Sequence, residues 1–153
     1  MSANTPPTAA WNRLRDTVAT IAADHRAAGH RVIEAYADHG TVKTRDDGAL
    51  TFVFTVSGET ATALSGQTST SASAIRRTDV QHVDTGGHRL YLLEIHQPDD
   101  NVVTLVAGGV RQRSLKMYVD TSGPARTKIR SISDAVALEL AHDDRTPFLV
   151  GVE

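Results

Sequence analysis

The strongest constraint on this chain is a pair of glycines. Gly86-Gly87 separates two runs of alternating residues, Thr78 to Asp84 and Arg89 to Ile95. A two-residue glycine link favours the hairpin turns whose twist matches that of paired strands. That turn fixes a register in which Asp84 faces Arg89, His82 faces Tyr91, Val80 faces Leu93 and Thr78 faces Ile95. An opposite-charge pair and an apolar pair on one face support it. The other face sets Asp79 opposite Glu94, which is unfavourable unless Arg77 or a partner helps. Pro98-Asp99-Asp100-Asn101 makes the next turn, and Val102 to Ala107 is an apolar run fit for a central strand. Residues 74–109 therefore read as three antiparallel strands.

The flanks add helices and further strands. Trp11, Leu14, Val18, Ile21, Ala22 and His25 fall on one face of a helix that Thr8 can cap and Gly29 can stop. A short strand is expected over residues 30–36. Asp46-Asp47-Gly48 is turn chemistry, and Leu50, Phe52, Phe54 and Val56 alternate with Thr51, Val53 and Thr55 as a strand. Ser57 can cap a short helix through about Leu64, and residues 65–73, rich in Ser and Thr, read as a mobile loop. Gly108-Gly109 is read as ending the strand from Val102. Residues 111–121 read as a helix with Leu115, Tyr118 and Val119 inward and Gly123 as its stop. Residues 127–132 and 136–141 read as a hairpin around Ser133-Asp134, with Val136, Leu138 and Leu140 alternating along the second strand. The expected fold is α+β: a mainly antiparallel sheet with a long N-terminal helix and one or two shorter helices packed on one face. Residues 1–7 read as a disordered lead-in and residues 8–150 as a single domain.

Composition narrows the function classes. The chain has 153 residues, no cysteine and a formal net charge of −2. Disulfides, thiolate metal sites and a cysteine nucleophile are excluded. A globally basic nucleic-acid binder is excluded too. No apolar run reaches the ~18 residues of a membrane span, and Met1 to Thr8 lacks the regions of a signal peptide. A cytoplasmic setting without a membrane is expected.

The run Val102-Val103-Thr104-Leu105-Val106-Ala107-Gly108-Gly109-Val110 leads into a short helix and two strands, then closes on Ala141-His142-Asp143-Asp144-Arg145-Thr146-Pro147-Phe148. With Trp11 on a first helix that leads into a strand, the chain resembles an uncharacterised domain family of halophilic archaea over about residues 10–148. The resemblance implies the fold and a cytoplasmic setting, and carries over no functional residue. The element order is also similar to roadblock-type domains, which are non-enzymatic modules that dimerise.

No catalytic set converges. In the hairpin register His82 and His96 point to opposite faces and cannot share a metal, so no metal site and no cofactor is expected. No Gly-x-Ser-x-Gly elbow is present. The paired aspartates fall in turns. Gly108 and Gly109 read first as a strand-to-helix corner that needs close backbone approach; with Arg111 and Arg113 just beyond and His142 later, they also leave open a pocket for an anion such as phosphate. Arg111, Arg113, Lys116, Arg126, Lys128 and Arg130 stand against Asp120 alone between residues 111 and 133. Arg126, Lys128 and Arg130 share a strand face. That row can guard an edge strand, meet an anionic partner or a second copy, or hold nucleic-acid phosphates. Nucleic acid ranks last, because no aromatics interleave on that strand. The segment after residue 134 is acidic, which offers basic-to-acidic pairing between subunits. The leading functional expectation is a non-catalytic binding or regulatory module that acts as a homodimer. The alternative is a small-molecule binder or small enzyme at the Gly108, Arg111 and His142 pocket.

Overall fold

The computed structural model describes residues 8–37, 39–67, 77–97, 101–133 and 135–152. Its elements run α1 (Thr8–Ala27), β1 (Arg31–Tyr36), β2 (His39–Thr44), β3 (Leu50–Val56), α2 (Gly58–Gln67), β4 (Arg77–Thr85), β5 (His88–Gln97), β6 (Val102–Arg111), α3 (Gln112–Leu115), a 3-10 turn (Lys116–Tyr118), β7 (Ala125–Ser131), β8 (Val136–His142) and α4 (Thr146–Leu149). The class is α+β, and antiparallel pairings predominate. The strands divide between two four-stranded sheets, β1-β6-β5-β4 and β2-β3-β7-β8. Each contains one parallel pair, β1 with β6 and β3 with β7. The expected lead-in, residues 1–7, and the expected loop beyond residue 67 lie outside the described residues.

The β4–β5 hairpin has the register read from the glycines, including Asp84 opposite Arg89 and Asp79 opposite Glu94. Both glycines have positive φ, as the turn requires. Alternation then sorts the two faces of the first sheet. Leu90, Leu92, Val103, Leu105 and Ala107 meet Leu14, Val18 and Ala22 of α1. Tyr91, Leu93, Ile95 and Val106 face the second sheet, where Phe52, Phe54, Ile129, Leu138 and Leu140 complete the core. Phe148 of α4 stacks on Phe52 at 4.5 Å between centroids and lies 5.7 Å from Tyr91. Ser57 caps α2, its Oγ accepting from the Thr60 amide at 3.2 Å. Gly29, at φ 92°, ends α1.

The structure departs from the sequence expectation at several places. Strand β2 has no counterpart there, because His39-Gly40-Thr41-Val42-Lys43-Thr44 has only one aliphatic residue to show alternation. Helix α2 continues to Gln67, so residues 65–67 are helical and not loop. The helix expected over residues 111–121 is one turn plus a 3-10 turn, and Val119 is exposed. Val136 is exposed because an irregularity between Ile129 and Arg130 shifts the pairing of β7 and β8. Gly108 and Gly109 do not end β6. They lie within it, opposite Tyr91 and Leu90. Gly108 is needed where Phe54 crosses from the other sheet: a Cβ there would lie 2.5 Å from Phe54 Cδ1. The carbonyl of Gly109 likewise leaves no room for a Cβ on Gly40, where the two sheets meet.

A buried cation joins the end of the chain to the hairpin. Arg89 Nε and Nη2 donate to Asp84 at 2.7 and 2.9 Å, and Nη1 donates to the carbonyls of Phe148 and Val150. Arg89 has no exposed surface. Its hydrogen bonds hold the Asp84 carboxyl below its ordinary pKa.

Gly108→Ala should cost about 1–3 kcal/mol of stability, the usual range for overpacking a filled site, read as the urea midpoint. An unchanged midpoint would mean that Phe54 yields without cost. Asp84→Asn should cost about 1–2 kcal/mol, because Arg89 is buried but its carboxylate partner is about a third exposed, which screens the pair. Because the folded carboxyl titrates below its unfolded value, Asp84 stabilises above about pH 4 and loses that effect as pH falls through its folded pKa. The variant's acid unfolding curve should be correspondingly flatter.

Candidate functional site

A cleft of about 580 Å³ opens beside the N-terminal half of α1. That volume is in the range of small-molecule sites. Thr8, Trp11 and Arg15 of α1 form one wall. Tyr36 of β1 and His39 to Val42 of β2 form another. His88, Gly109, Arg111 and Ser114 close it from the ends of β5 and β6 and from α3. Alternation explains the convergence: His88, Gly109, Arg111 and Tyr36 all lie on the sheet face that α1 covers. The apolar stripe of α1 stops short of them, and the polar ends of the strands are left lining a gap.

The cleft carries positive charge. Arg15 and Arg111 line it together with His39 and His88, and no carboxylate does so among the described residues. The guanidinium of Arg15 sits 4.4 Å from the ring centroid of Tyr36, a cation–π contact that holds it over the opening. The Tyr36 hydroxyl donates to Glu34 at 2.8 Å, and burial together with that carboxylate pushes its pKa up to about 12. Tyr36 therefore presents a ring and not an acid. His88 is buried, and its Nδ1 lies 3.3 Å from the Gly86 carbonyl. Its Nε2 is sealed from solvent with no hydrogen-bond partner among the described residues. A buried polar atom without a partner needs an explanation, and a ligand atom supplies one. The first turn of α1 carries no acidic side chain, so its amide dipoles favour an anion.

The residues read from sequence are distributed as follows. Arg111 and Gly109 line the cleft. Gly108 does not; it faces Phe54 and Ala37 in the core. Arg113 is exposed on α3 and away from the cleft lining. His142 ends β8, shares a hydrogen bond with Thr127 at 2.9 Å, and packs its ring 5.1 Å from Phe148. Burial pushes its pKa down. Arg126, Lys128 and Arg130 do share a face, but β7 lies between β3 and β8, so the row guards no edge. Arg126 pairs with Asp47 at 3.2 Å and lies 3.7 Å from Glu139, and Arg130 reaches the Thr55 hydroxyl. The basic and acidic stretches thus already meet within one chain.

Sequence reasoning missed Trp11, Arg15, Tyr36, His39 and His88 as one lining. Trp11 sat on the apolar face of a helix and read as core, and the unread strand β2 removed His39. A second cluster was also missed. At the other end of α1, Asp79, Glu94 and His96 bring donor atoms within 4.8 Å of one another. His82 lies on the opposite face from His96, as the register required.

Among the described residues no helix is long and apolar enough to cross a membrane. Residues 2–150 match a family of unknown function, DUF7529. No curated protein and no solved structure matches the chain.

The buried His142 has a direct consequence. A histidine whose folded pKa lies below 6.5 stabilises fully above that value and progressively less as pH falls through the folded pKa. The unfolding midpoint should therefore drop from pH 7 to pH 5. His142→Gln, which retains a polar partner for Thr127, should lose part of that slope. An identical slope would place the titration elsewhere.

Proposed function

We propose, for a chain that belongs to the DUF7529 family, that it is a binding module for a small anionic molecule taken in the cleft beside α1. The observation that carries this is the composition of the lining: Arg15, Arg111, His39 and His88 with no described carboxylate, and a buried His88 Nε2 without a partner. The arginines suit a phosphate or carboxylate, which they meet by charge-assisted hydrogen bonds. With Nδ1–H directed at the Gly86 carbonyl, Nε2 of His88 suits a polar group of the ligand. Trp11 offers a flat apolar wall. A phosphorylated molecule with a ring or sugar meets all three demands.

A regulatory homodimer is a second reading, favoured by the nine residues of β4, which form an edge strand of the first sheet among the described residues. The partner there is a second copy of the chain. Sedimentation across concentration and salt tests it, and a monomer throughout would count against it.

Trp11 is the only tryptophan, so its fluorescence reports on the cleft. Titration with AMP should change that fluorescence and raise Tm, and added salt should weaken both. Adenosine should bind more weakly than AMP. Arg111→Ala and Arg15→Ala should each weaken AMP binding about tenfold, the loss of one hydrogen bond to a charged group. No response to AMP, to a sugar phosphate or to inorganic phosphate would overturn the proposal.

A further inference from the structure

We propose that His25, Asp79, Glu94 and His96 form a site for one divalent transition-metal ion, zinc being the best fit, which clamps the C-terminal end of α1 to the β4–β5 hairpin. The site is separate from the cleft beside Trp11: fourteen residues of helix, about 21 Å at 1.5 Å per residue, lie between Trp11 and His25. One oxygen each of Asp79 and Glu94 and one ring nitrogen of His96 lie within 4.8 Å of one another. Donors on one tetrahedral zinc each sit about 2 Å from the ion, hence about 3.3 Å apart. Small side-chain rotations bring the three to that spacing.

His25, now hydrogen-bonded to Glu94, would exchange that contact for the metal and so become a fourth donor. Its Nε2 lies 2.5 Å from Glu94 Oε1, and its ring centroid lies 5.7 Å from that of His96. Two imidazoles on one zinc have centroids about 5–6 Å apart, given a Zn–N bond of about 2 Å. The ring of His30 stands edge-on to His25 at 5.7 Å, with its Nδ1 tied to Asn101 Oδ1 at 2.6 Å.

Three independent features call for a cation between these groups. His96 Nε2 is sealed from solvent and has no hydrogen-bond partner among the described residues. Glu94 and Asp79 lie 3.5 and 3.6 Å from it, too far for good hydrogen bonds. The register sets Asp79 directly opposite Glu94, a like-charge pair that Arg77 meets at 3.5 Å on the Asp79 side and His25 meets on the Glu94 side. The cluster also lies at the C-terminal end of a twenty-residue helix, where the dipole favours positive charge. Two imidazole nitrogens and two carboxylate oxygens suit zinc better than calcium or magnesium, which prefer all-oxygen shells. Asp79 is half exposed, which leaves a route for the ion.

The test uses the full chain, stripped with a chelator and titrated with zinc chloride in a calorimeter, with magnesium and calcium as controls. Expected are one zinc per chain, a higher Tm with zinc, and no response to magnesium. His96→Ala and Glu94→Gln should each weaken zinc binding at least tenfold while circular dichroism stays unchanged. Cobalt(II) added to the unsubstituted protein should give the intense visible absorption of a four-coordinate ion, a readout that needs no variant to fold. Absence of zinc binding, equal affinity in His96→Ala, or a pale six-coordinate cobalt spectrum would overturn the site. None of these readouts depends on the AMP titration.

Discussion

The guanidinium of Arg89 is the interaction on which the rest of the arrangement leans. A cation with no exposed surface is tolerable only if its charge is matched and its donors are used. Here Asp84 supplies the charge and two acceptors, and the carbonyls of Phe148 and Val150 take the rest. The same residues therefore hold the hairpin end and the C-terminal segment together. Tyr91 reinforces the junction by donating its hydroxyl to the Phe148 carbonyl. Phe148 is thereby fixed against Phe52 and Tyr91, so an aromatic contact between the sheets is placed by a polar anchor. Arg145 works in a similar way, donating to the Thr121 hydroxyl and to the carbonyls of Gly48 and Pro124. Two buried arginines thus secure loops that apolar packing alone would leave free.

Local chemistry was legible and long-range pairing was not. The turn at Gly86-Gly87, the cap at Ser57, the stop at Gly29 and the stripe of α1 each depend on residues a few positions apart. All four are where the sequence places them. The split into two sheets depends on β1 finding β6 and β3 finding β7, for which no short-range signal exists. Gly108-Gly109 looked like a strand terminus because glycine weakens strands. The reason for Gly108 is the Phe54 ring, a contact from another sheet.

The same distinction runs through the sites. Arg111 and Gly109 were found because they close an obvious apolar run, and the cleft does include them. His142 was grouped with them by chain order, yet it belongs to the second sheet, bonded to Thr127. The carboxylate clash of Asp79 with Glu94 was readable from the hairpin register. The imidazole that meets Glu94 was not, because His25 arrives from a helix far earlier in the chain. The basic row on β7 was read correctly as sharing one face, but its place inside a sheet required the parallel pairing with β3.

Those two parallel seams also govern how the chain can reach its fold. Their partners stand about 70 residues apart in the chain, and the entropy of closing such long loops precedes any reward from the contacts. During synthesis, β1 and β3 emerge long before β6 and β7 exist to receive them. Until then the Leu50, Phe52, Phe54 and Val56 face stays without its cover, and the apolar stripe of α1 has no floor. A nascent chain of this topology is therefore sticky for most of its synthesis and settles late, in one concerted step near the end. Its yield in a cell should depend on chaperone capacity and growth temperature more than its finished stability suggests.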